Sequence, residues 1–457
     1  MSTAIQNFGD PLAADGETPA VSRWKAIAAR VEDSNLLSSL LAIVDQGMIS
    51  GTNFLMAVVV GRCCGAETLG LYSLVASAIA MLMGIQEQLI TAPYVMYHNH
   101  RSGKALKRYG GSILIHQAIF IAIVCAAMTL FVVGRTDSTQ LSYAVTKILL
   151  FAMPAILFRA YIREVALAHC QTITVVMIDA AVCLSQCVAI AVLFLTDAVE
   201  LTSIYVVSGI ACLLTTLVWL QRNWSRLTFS GRAIGLDWIR NWRFGRWALA
   251  THVAGTSTPY VMPWVLFVMH GKTATGFLAS CSVIVGIANI LLSGMSDFLT
   301  PRAAAAYATG GLPKLQRILS SMALISFAAI GSVCAVAYLF GESIINVLYD
   351  GQFAGAGELV GLLTLAVLFN ALGNVAGNGL WALNQPRANF VADVITLTSA
   401  IGAALVFVKP YGPKGAAVAI LVASAIGAAA RFGIYQRCIC DLRDEKSVDQ
   451  CEPNEIN

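Results

Sequence analysis

Apolar runs of about 20 residues follow one another along almost the whole of this sequence. A helix of that length rises about 30 Å, which matches the hydrocarbon core of a bilayer. Only 12% of the 457 residues are charged, whereas roughly 25% are charged in an average soluble domain. The sequence therefore excludes a soluble globular fold and predicts an all-α polytopic membrane protein. It also excludes a membrane barrel, because it has no alternating strands of about ten residues.

Hydropathy predicts about 12 transmembrane helices. The expected spans are residues 36–61, 69–93, 111–133, 141–159, 172–195, 200–221, 246–270, 273–299, 318–340, 357–383, 389–409 and 414–436. Of the 29 lysines and arginines, 23 lie in or beside the terminal segments and even-numbered connections, and five lie in the odd-numbered connections. Positive residues favour the cytoplasmic side. We therefore expect a multi-pass protein of the cytoplasmic (inner) membrane with both termini in the cytoplasm.

The middle of the chain divides the spans into two sets of six. Residues 36–221 are expected to form an N-terminal six-helix lobe and residues 246–436 a C-terminal one. Residues 222–245 are a basic cytoplasmic connection, and residues 437–457 are a cytoplasmic tail. Residues 1–35 are a cytoplasmic N-terminal segment, which contains either an interfacial helix or a solvated leader.

The connection between the lobes is rich in arginine and bordered by tryptophan. Residues 222–246 contain six arginines, and five of the eight tryptophans lie between positions 219 and 247. Tryptophan is typical of the membrane–water interface, and basic juxtamembrane loops attract anionic lipids. Anionic lipids are therefore the expected partners of the basic cytoplasmic loops, and a nucleic-acid partner is not expected.

Three pairs of similar features indicate an internal repeat. In chain order they are the turn GRCCGAETLGLYSL with HGKTATGFLAS, Pro93 with Pro301, and Gln171 and Asp179 with Gln385 and Asp393. The two members of each pair are separated by nearly the same length of chain. Both halves are predicted to start on the cytoplasmic side, so the lobes would be related by a parallel internal repeat about an axis along the membrane normal.

Three segments resemble those of polysaccharide flippases. They are GRCCGAETLGLYSLVAS, LYDGQFAGAGELVGLLTLAVLFNALGNVAGNGLWALNQPRANF and YGPKGAAVAILVASAI. Over roughly residues 36–437, the chain resembles O-antigen flippase-like members of the multidrug/oligosaccharidyl-lipid/polysaccharide exporter superfamily. The resemblance implies a lipid-linked oligosaccharide substrate. It depends on glycine, proline and aromatic positions, which identify a fold better than a cargo.

Ionisable side chains within the spans are candidate transport-site residues, because a charge in the hydrocarbon core is costly. Asp45, which is near Asn53 on the first span, would bind a coupling cation or proton, or else only stabilise helix packing. Lys147 would bind a diphosphate if it faces inward, or extend to the interface if it does not. Glu87, Asp179 and His252 are further candidates, all in the predicted cytoplasmic half of the bilayer.

Helix-breaking residues occur in spans one and seven, the first span of each predicted lobe. Span seven contains Gly255, Pro259 and Pro263, and it is predicted to kink or unwind because proline removes a backbone hydrogen bond. Span one, its counterpart in the repeat, contains Gly51. Interrupted helices at corresponding positions of two halves are typical of a transport site. A simple packing kink is the alternative interpretation.

Span ten has Asn370 and Asn374 one turn apart, followed by Asn378 on the same face. Such an amide seam either hydrogen-bonds to sugar hydroxyls or holds helices together. The sequence has no nucleotide-binding P-loop and no HExxH motif, and most cysteines lie within apolar runs. We therefore expect no catalytic residue, no metal and no cofactor.

Three functional hypotheses follow, with a transporter favoured over an enzyme. The first is a flippase that moves a polyprenyl-diphosphate sugar by alternating access, for polysaccharide biosynthesis. Few cations are available to its diphosphate: Lys147, two histidines and the rim residues Arg159, Arg163 and Arg246. The second is a cation-coupled extruder of small organic compounds, which Asp45 and Glu87 would suit better. The third is a membrane-embedded enzyme of lipid-linked sugar metabolism.

Overall fold

A computed structural model describes residues 35–133 and 140–451 of the chain. The regular structure of these residues is helical throughout, as predicted. The helices are α1 (Asn35–Gln86), α2 (Ala92–His98), α3 (Gly103–Val133), α4 (Gln140–Ala168), α5 (Thr172–Leu195), α6 (Leu201–Asn223), α7 (Gly231–Tyr349), α8 (Gly357–Ala382) and α9 (Pro386–Cys451). A short π-helix (Glu87–Thr91) joins α1 to α2. The interfacial helix predicted before residue 35 lies outside the described residues.

Three helices are longer than one bilayer crossing, and glycines with positive φ divide them. Gly65 (φ 80°) divides α1, Gly271 (φ 79°) and Gly311 (φ 61°) divide α7, and Gly412 (φ 55°) divides α9. Only glycine adopts such angles at little cost. Within the two described ranges, the seven segments of these three helices and the five undivided helices α3, α4, α5, α6 and α8 together give twelve crossings, which confirms the predicted number.

The crossings are numbered as spans one to twelve in chain order. Spans one and two are residues 35–64 and 66–98, and α3 to α6 are spans three to six. Spans seven to nine are residues 231–270, 272–310 and 312–349 of α7, and α8 is span ten. Spans eleven and twelve are residues 386–411 and 413–451 of α9. They form two lobes of six helices.

The positions of positive φ repeat between the two lobes. Gly65 and Gly271 both turn the chain at the start of a second span. Gly103 (φ 53°) and Gly311 (φ 61°) both turn it at the start of a third. The two glycines of each pair are as far apart in the chain as the two members of a match found in the sequence. Gly65 and Gly271 correspond to the matching turns after spans one and seven, and Gly103 and Gly311 have the same separation as Pro93 and Pro301. The repeat is therefore a feature of the backbone.

The turns before spans five and eleven are a third matching pair. The backbone N–H of Gln171 donates to the Ala166 carbonyl at 3.0 Å, and that of Gln385 donates to the Leu380 carbonyl at 2.9 Å. The residue before each glutamine has φ of 56° and 58°, respectively. The two glutamines belong to the third match found in the sequence, so the same turn occupies the same place in each lobe.

Spans two and eight cross in backbone contact, and the contact is symmetric. A Cβ at Gly70 would lie 2.1 Å from the Lys272 carbonyl oxygen, and a Cβ at Gly276 would lie 2.0 Å from the Ala66 carbonyl oxygen. The separation of the two glycines along the chain equals that of the two carbonyl residues. Small residues allow membrane helices to approach this closely. The crossing therefore joins the two lobes along the axis that relates them.

Span seven was predicted to kink or unwind, and the structure shows that it does not unwind. Inside α7 the backbone leaves helical angles only at Gly271 and Gly311, so Gly255, Pro259 and Pro263 all lie in continuous helix. Gly51 is likewise helical, because the break in α1 is at Gly65. Each proline removes one hydrogen bond, and lipid offers no water to replace the others. The helix is therefore retained until a glycine adopts a positive φ.

Candidate functional site

Four charged side chains form one cluster inside the N-terminal lobe. Arg163 of α4 lies between two carboxylates: its Nη2 donates to Asp45 Oδ2 of α1 at 2.9 Å, and its Nε donates to Asp179 Oδ2 of α5 at 2.8 Å. Arg159, one turn earlier on α4, also pairs with Asp179. Three separate spans contribute to these ion pairs. We refer to the four residues as the carboxylate–arginine cluster.

The carboxylates of the cluster are buried, and the guanidinium groups are partly exposed. The side chains of Asp179 and Asp45 are 0% and 4% exposed, whereas those of Arg159 and Arg163 are 16% and 24% exposed. At the margin, Glu164 accepts a further hydrogen bond from Arg163 Nη1 at 3.3 Å. The opposite charges offset part of the cost of burial. The accessible part of the four-residue cluster consists mainly of arginine.

Two atoms of the cluster are buried without a hydrogen-bond partner among the described residues. They are Asp45 Oδ1 and Arg159 Nε. Unpaired buried polar atoms are uncommon, because each loses its hydrogen bonds to water. The cluster therefore has one unused acceptor, Asp45 Oδ1, and one unused donor, Arg159 Nε. Both could hydrogen-bond to a ligand if the side chains of the cluster moved.

The C-terminal lobe contains a smaller counterpart of the cluster. Asp393 on span eleven, the repeat partner of Asp179, pairs with Arg431 of span twelve. Gly255 of span seven packs against this carboxylate, and a Cβ there would lie 3.1 Å from Asp393 Oδ2. The two lobes thus share the position of the carboxylate. The spans that supply the arginines differ. Those that pair with Asp179 are on span four, the fourth helix of its lobe, whereas Arg431 is on span twelve, the sixth helix of its lobe.

The asparagine seam of span ten is tightly packed. Asn378 Nδ2 donates to the Asn374 carbonyl at 3.0 Å, and Thr300 Oγ1 of span eight donates to Asn378 Oδ1 at 2.6 Å. The cavity beside Asn374 and Asn378 has a volume of about 10 Å³, close to the minimum that one water molecule requires. Asn370, two turns before Asn378, is half-buried. In this conformation the seam holds spans eight and ten together.

The other predicted site residues lie apart from the cluster. Asn53 is exposed on α1. Glu87 is exposed at the first position of the π-helix, where its Oε1 accepts from Gln88 Nε2 at 3.3 Å; such helices are frequent at functional sites. Lys147 is on α4, within residues 140–148, whose backbone but not side chains the structure describes.

His252 belongs to the contact between the lobes. A Cβ at Gly84 of span two would lie 2.2 Å from His252 Nε2 of span seven. Further along the same two spans, Trp264 Nε1 donates to Ser77 Oγ at 2.9 Å. Together with the crossing of spans two and eight at Gly70, these contacts place the line along which the lobes meet on span two of one lobe and spans seven and eight of the other.

The lobes also meet on the membrane side opposite the chain termini. Gln352 Nε2, in the loop after span nine, donates to the Arg62 carbonyl at 2.9 Å. The ring of Tyr349 fills the space beside Gly61, where a Cβ would lie 2.4 Å from Tyr349 Cε1. On the terminal side, the side-chain hydrogen bonds that the structure describes between the lobes involve only residues 231–246. The lobes are therefore closed together on the predicted outer side.

Arg159 and Arg163, predicted from the sequence to lie at the rim, are instead in the same cluster as Asp45. Hydropathy ended span four at residue 159, but α4 continues to Ala168. The spacing of the two arginines places them on one helix face, and that was the available signal. Two of the predicted site residues, Asp45 and Asp179, are thus brought together by Arg163, which hydropathy predicts at the membrane edge.

The fold is similar to that of solved transporter structures. The inward-facing conformation of a multidrug resistance MATE family transporter of the MOP superfamily matches with a TM-score of 0.72 and 15% identity, over 86% of this chain and 95% of that chain. The lipid II flippase MurJ in an inward closed conformation matches with a TM-score of 0.70 and 14% identity, over 92% and 94% of the two chains. No protein-family profile and no curated protein sequence matches this chain.

These similarities are at low sequence identity and show the fold alone. The chain has the two-lobe, twelve-helix architecture of MOP superfamily transporters and is a multi-pass membrane protein. An outward-facing MATE family structure matches with a lower TM-score of 0.57, at 14% identity over 89% of this chain and 96% of that chain. The higher score of the inward-facing structure agrees with the contact between the lobes on the side opposite the termini.

Proposed function

We propose that this protein is a flippase for a lipid-linked oligosaccharide, a polyprenyl-diphosphate sugar that it moves across the cytoplasmic membrane by alternating access. The sugar headgroup would cross between the lobes while the lipid tail stays in the bilayer. This path avoids the cost of several kcal/mol for each polar group left unsatisfied in hydrocarbon. The related fold of MurJ, named as a lipid II flippase, supports the proposal.

The observation that carries the proposal is the orientation of the carboxylate–arginine cluster. Its two arginines are the more exposed members, and its two aspartates are buried beneath them. Guanidinium groups form paired hydrogen bonds with phosphate oxygens. A diphosphate that replaces Asp45 at Arg163 would leave that arginine attached to Asp179, so the binding group stays in position.

The competing hypothesis is a cation-coupled extruder of small organic compounds. The fold of the MATE transporters and the unpartnered Oδ1 of Asp45 favour it. However, the other oxygen of Asp45 and both oxygens of Asp179 already accept hydrogen bonds from arginine. A cation would have to separate these ion pairs, whereas a phosphate group would exchange with a carboxylate.

Mass spectrometry of membrane lipids from cells depleted of the protein tests the proposal. A flippase predicts that a polyprenyl-diphosphate oligosaccharide accumulates, and its mass identifies the sugar. An unchanged pool of lipid-linked sugars, together with new sensitivity of the cells to cationic dyes, would refute the flippase and support the extruder.

Complementation of the depleted cells connects that result to the cluster. The double variant R159Q/R163Q should leave the lipid-linked sugar accumulated, whereas Arg317→Gln, an exposed arginine of span nine, should clear it as the wild-type protein does. Both variants must be present in the membrane at wild-type amounts. Clearance by R159Q/R163Q would exclude the two arginines from substrate recognition.

A further inference from the structure

A second charged site lies outside the lobes' interior, where the connection helix meets span three. The connection helix is residues 231–246, the first part of α7. It is fixed to α3 and the turn before it by hydrogen bonds of Arg101 Nη2 to Asp237 Oδ1 (3.1 Å), Tyr109 OH to Asn241 Oδ1 (3.0 Å) and His116 Nε2 with the Ile234 carbonyl (3.0 Å). The chain that links the two lobes is therefore docked on the N-terminal one.

A cavity of about 320 Å³ lies between these helices, and three of its lining residues are arginines. Arg101 is held in place, because its Cζ stacks 3.5 Å from the Tyr109 ring centroid and it pairs with Asp237. Its Nη1 is buried without a hydrogen-bond partner among the described residues. Arg108 and Arg240 are exposed and form no ion pair with any acidic residue that the structure describes. Asp237 is the one acidic residue of the lining, so the cavity carries a net positive charge.

The connection helix also has an apolar side that the protein leaves open. Trp238, Ile239 and Trp242 are 40%, 59% and 44% exposed. A helix with exposed tryptophan and isoleucine next to arginine is typical of the membrane interface, with its apolar face among the lipid chains. The cavity, on the same helix, is therefore at the depth of lipid headgroups.

We propose that this cavity binds the phosphate headgroup of one anionic membrane lipid. Three guanidinium groups suit a phosphate, which accepts paired hydrogen bonds from arginine. The volume is in the range of pockets that hold small ligands, roughly 300–1,000 Å³. The lipid chains would lie against the apolar side of the connection helix. This site is separate from the carboxylate–arginine cluster and does not depend on which cargo the protein carries.

Native mass spectrometry of the purified full-length protein tests the site, with phosphatidylglycerol and phosphatidylcholine as probes. We expect one phosphatidylglycerol to bind in preference to phosphatidylcholine. The double variant R108Q/R240Q should weaken that binding about 25-fold, since each arginine near an anionic lipid contributes about a factor of five. The control R222Q/R232Q removes the same charge from exposed arginines outside the cavity and should leave binding within about twofold of wild type.

Other outcomes decide between the cavity and diffuse charge. Equal losses in the two double variants, or equal binding of the two lipids, would overturn the proposal. Stabilisation by millimolar inorganic phosphate without lipid would keep the site and make free phosphate its occupant. Asp237→Asn provides a gain-of-function test, because it removes the opposing charge and should tighten phosphatidylglycerol binding about fivefold. Unchanged or weaker binding by that variant would contradict the assignment even if R108Q/R240Q failed to fold.

Discussion

At the scale of residues, Arg163 is the member on which the carboxylate–arginine cluster depends. It is the one side chain of the cluster that contacts both Asp45 and Asp179. Two buried carboxylates would repel each other without it, and only Arg159 would remain to offset them. Arg163 therefore stabilises the structure in addition to any role in transport.

We expect Arg163→Gln to lower the free energy of unfolding by about 3 kcal/mol, because removal of one partner leaves a buried charge uncompensated. Asp45→Asn in the same chain should restore part of that loss, with a coupling energy of about 1–3 kcal/mol. Thermal unfolding of the wild type, the two single variants and the double variant measures this coupling. Additive effects would mean that the two side chains do not interact.

Asp45→Asn alone separates the two transport hypotheses. In a flippase that uses the arginines, this variant keeps Arg163 paired with Asp179, and lipid transport should be retained. In a transporter driven by a cation bound to Asp45, the same variant should be folded, inserted and inactive. Clearance of accumulated lipid-linked sugar from depleted cells distinguishes these results, with membrane abundance of the variant as the control.

His169, in the turn after α4, should make stability depend on pH. Desolvation of the ring where it packs against Tyr94 and His98 lowers the pKa of His169 from its usual 6.5, with contributions from the charges of His98 and Arg226. The unfolded chain then binds the proton more readily, so this stability is complete above about pH 6.5 and is lost as the pH falls through the lowered pKa. His169→Gln, which retains an acceptor for Tyr94 OH, should reduce the acid loss in thermal unfolding. An unchanged pH profile would contradict this role.

At the scale of elements, the atoms around a glycine show whether it lies at a close helix crossing or on an open helix surface. Gly70 and Gly276 meet carbonyl oxygens of the opposite span, so neither position has space for a methyl group. Gly51 and Gly47 on α1 have no neighbouring atom within 4 Å of an added Cβ. The sequence shows glycine at all four positions, but only the first two determine how helices approach.

Gly70→Ala should destabilise the protein by about 1–3 kcal/mol, because the added methyl group displaces backbone rather than a flexible side chain. Gly51→Ala should be neutral or stabilise it by up to about 1 kcal/mol, since alanine favours helix. Thermal unfolding of the two variants under identical conditions provides the comparison. Similar effects of the two substitutions would show that the crossing does not require glycine at position 70.

At the scale of the whole molecule, two contacts define the conformational state. The lobes share a line of contact along spans two, seven and eight, and they close over Gly61, Tyr349 and Gln352 on the side opposite the termini. The first contact can persist as a pivot while the second separates. The closure is therefore the place where a substitution should shift the balance between states.

Gly61→Val should open the closure, because a Cβ there would lie 2.4 Å from Tyr349 Cε1 in this closed arrangement and separation of the lobes would relieve the overlap. A clash of about 1–3 kcal/mol changes the ratio of states roughly 5- to 150-fold. Spin labels at Glu67 and Glu358, both exposed on that side, would report a longer distance in electron paramagnetic resonance.

Two controls keep the Gly61 result specific. Tyr349→Ala combined with Gly61→Val removes the clash and should restore the shorter distance. Gly47→Val, where an added Cβ has open space, should leave the distance unchanged. A longer distance in the Gly47 variant would show that valine perturbs α1 in general, and no change in the Gly61 variant would exclude this closure as a gate.

The number of spans, most of their ends and the internal repeat could all be predicted from the amino-acid sequence. Each of these depends on local properties: a run of about 20 apolar residues is long enough to span the bilayer, and glycine permits the positive φ at which each long helix turns. The nearly constant separation between the halves was visible as residue matches before it appeared as matching backbone turns. Hydropathy predicted the end of span four too early, at residue 159 instead of Ala168. Charged residues lower the mean hydropathy even where they are paired inside the protein.

Which polar residues meet could not be predicted from the sequence and depends on how the helices pack. Asp45 and Arg163 are 118 residues apart, and their pairing depends on which faces of spans one and four are turned toward each other. No local pattern contains that information, because a membrane helix satisfies its own backbone and leaves its rotation to packing against its neighbours. The sequence could name Asp45 and Asp179 as costly charges. The fold supplied the arginines that bind them, and with these the preference for an anionic substrate that we propose.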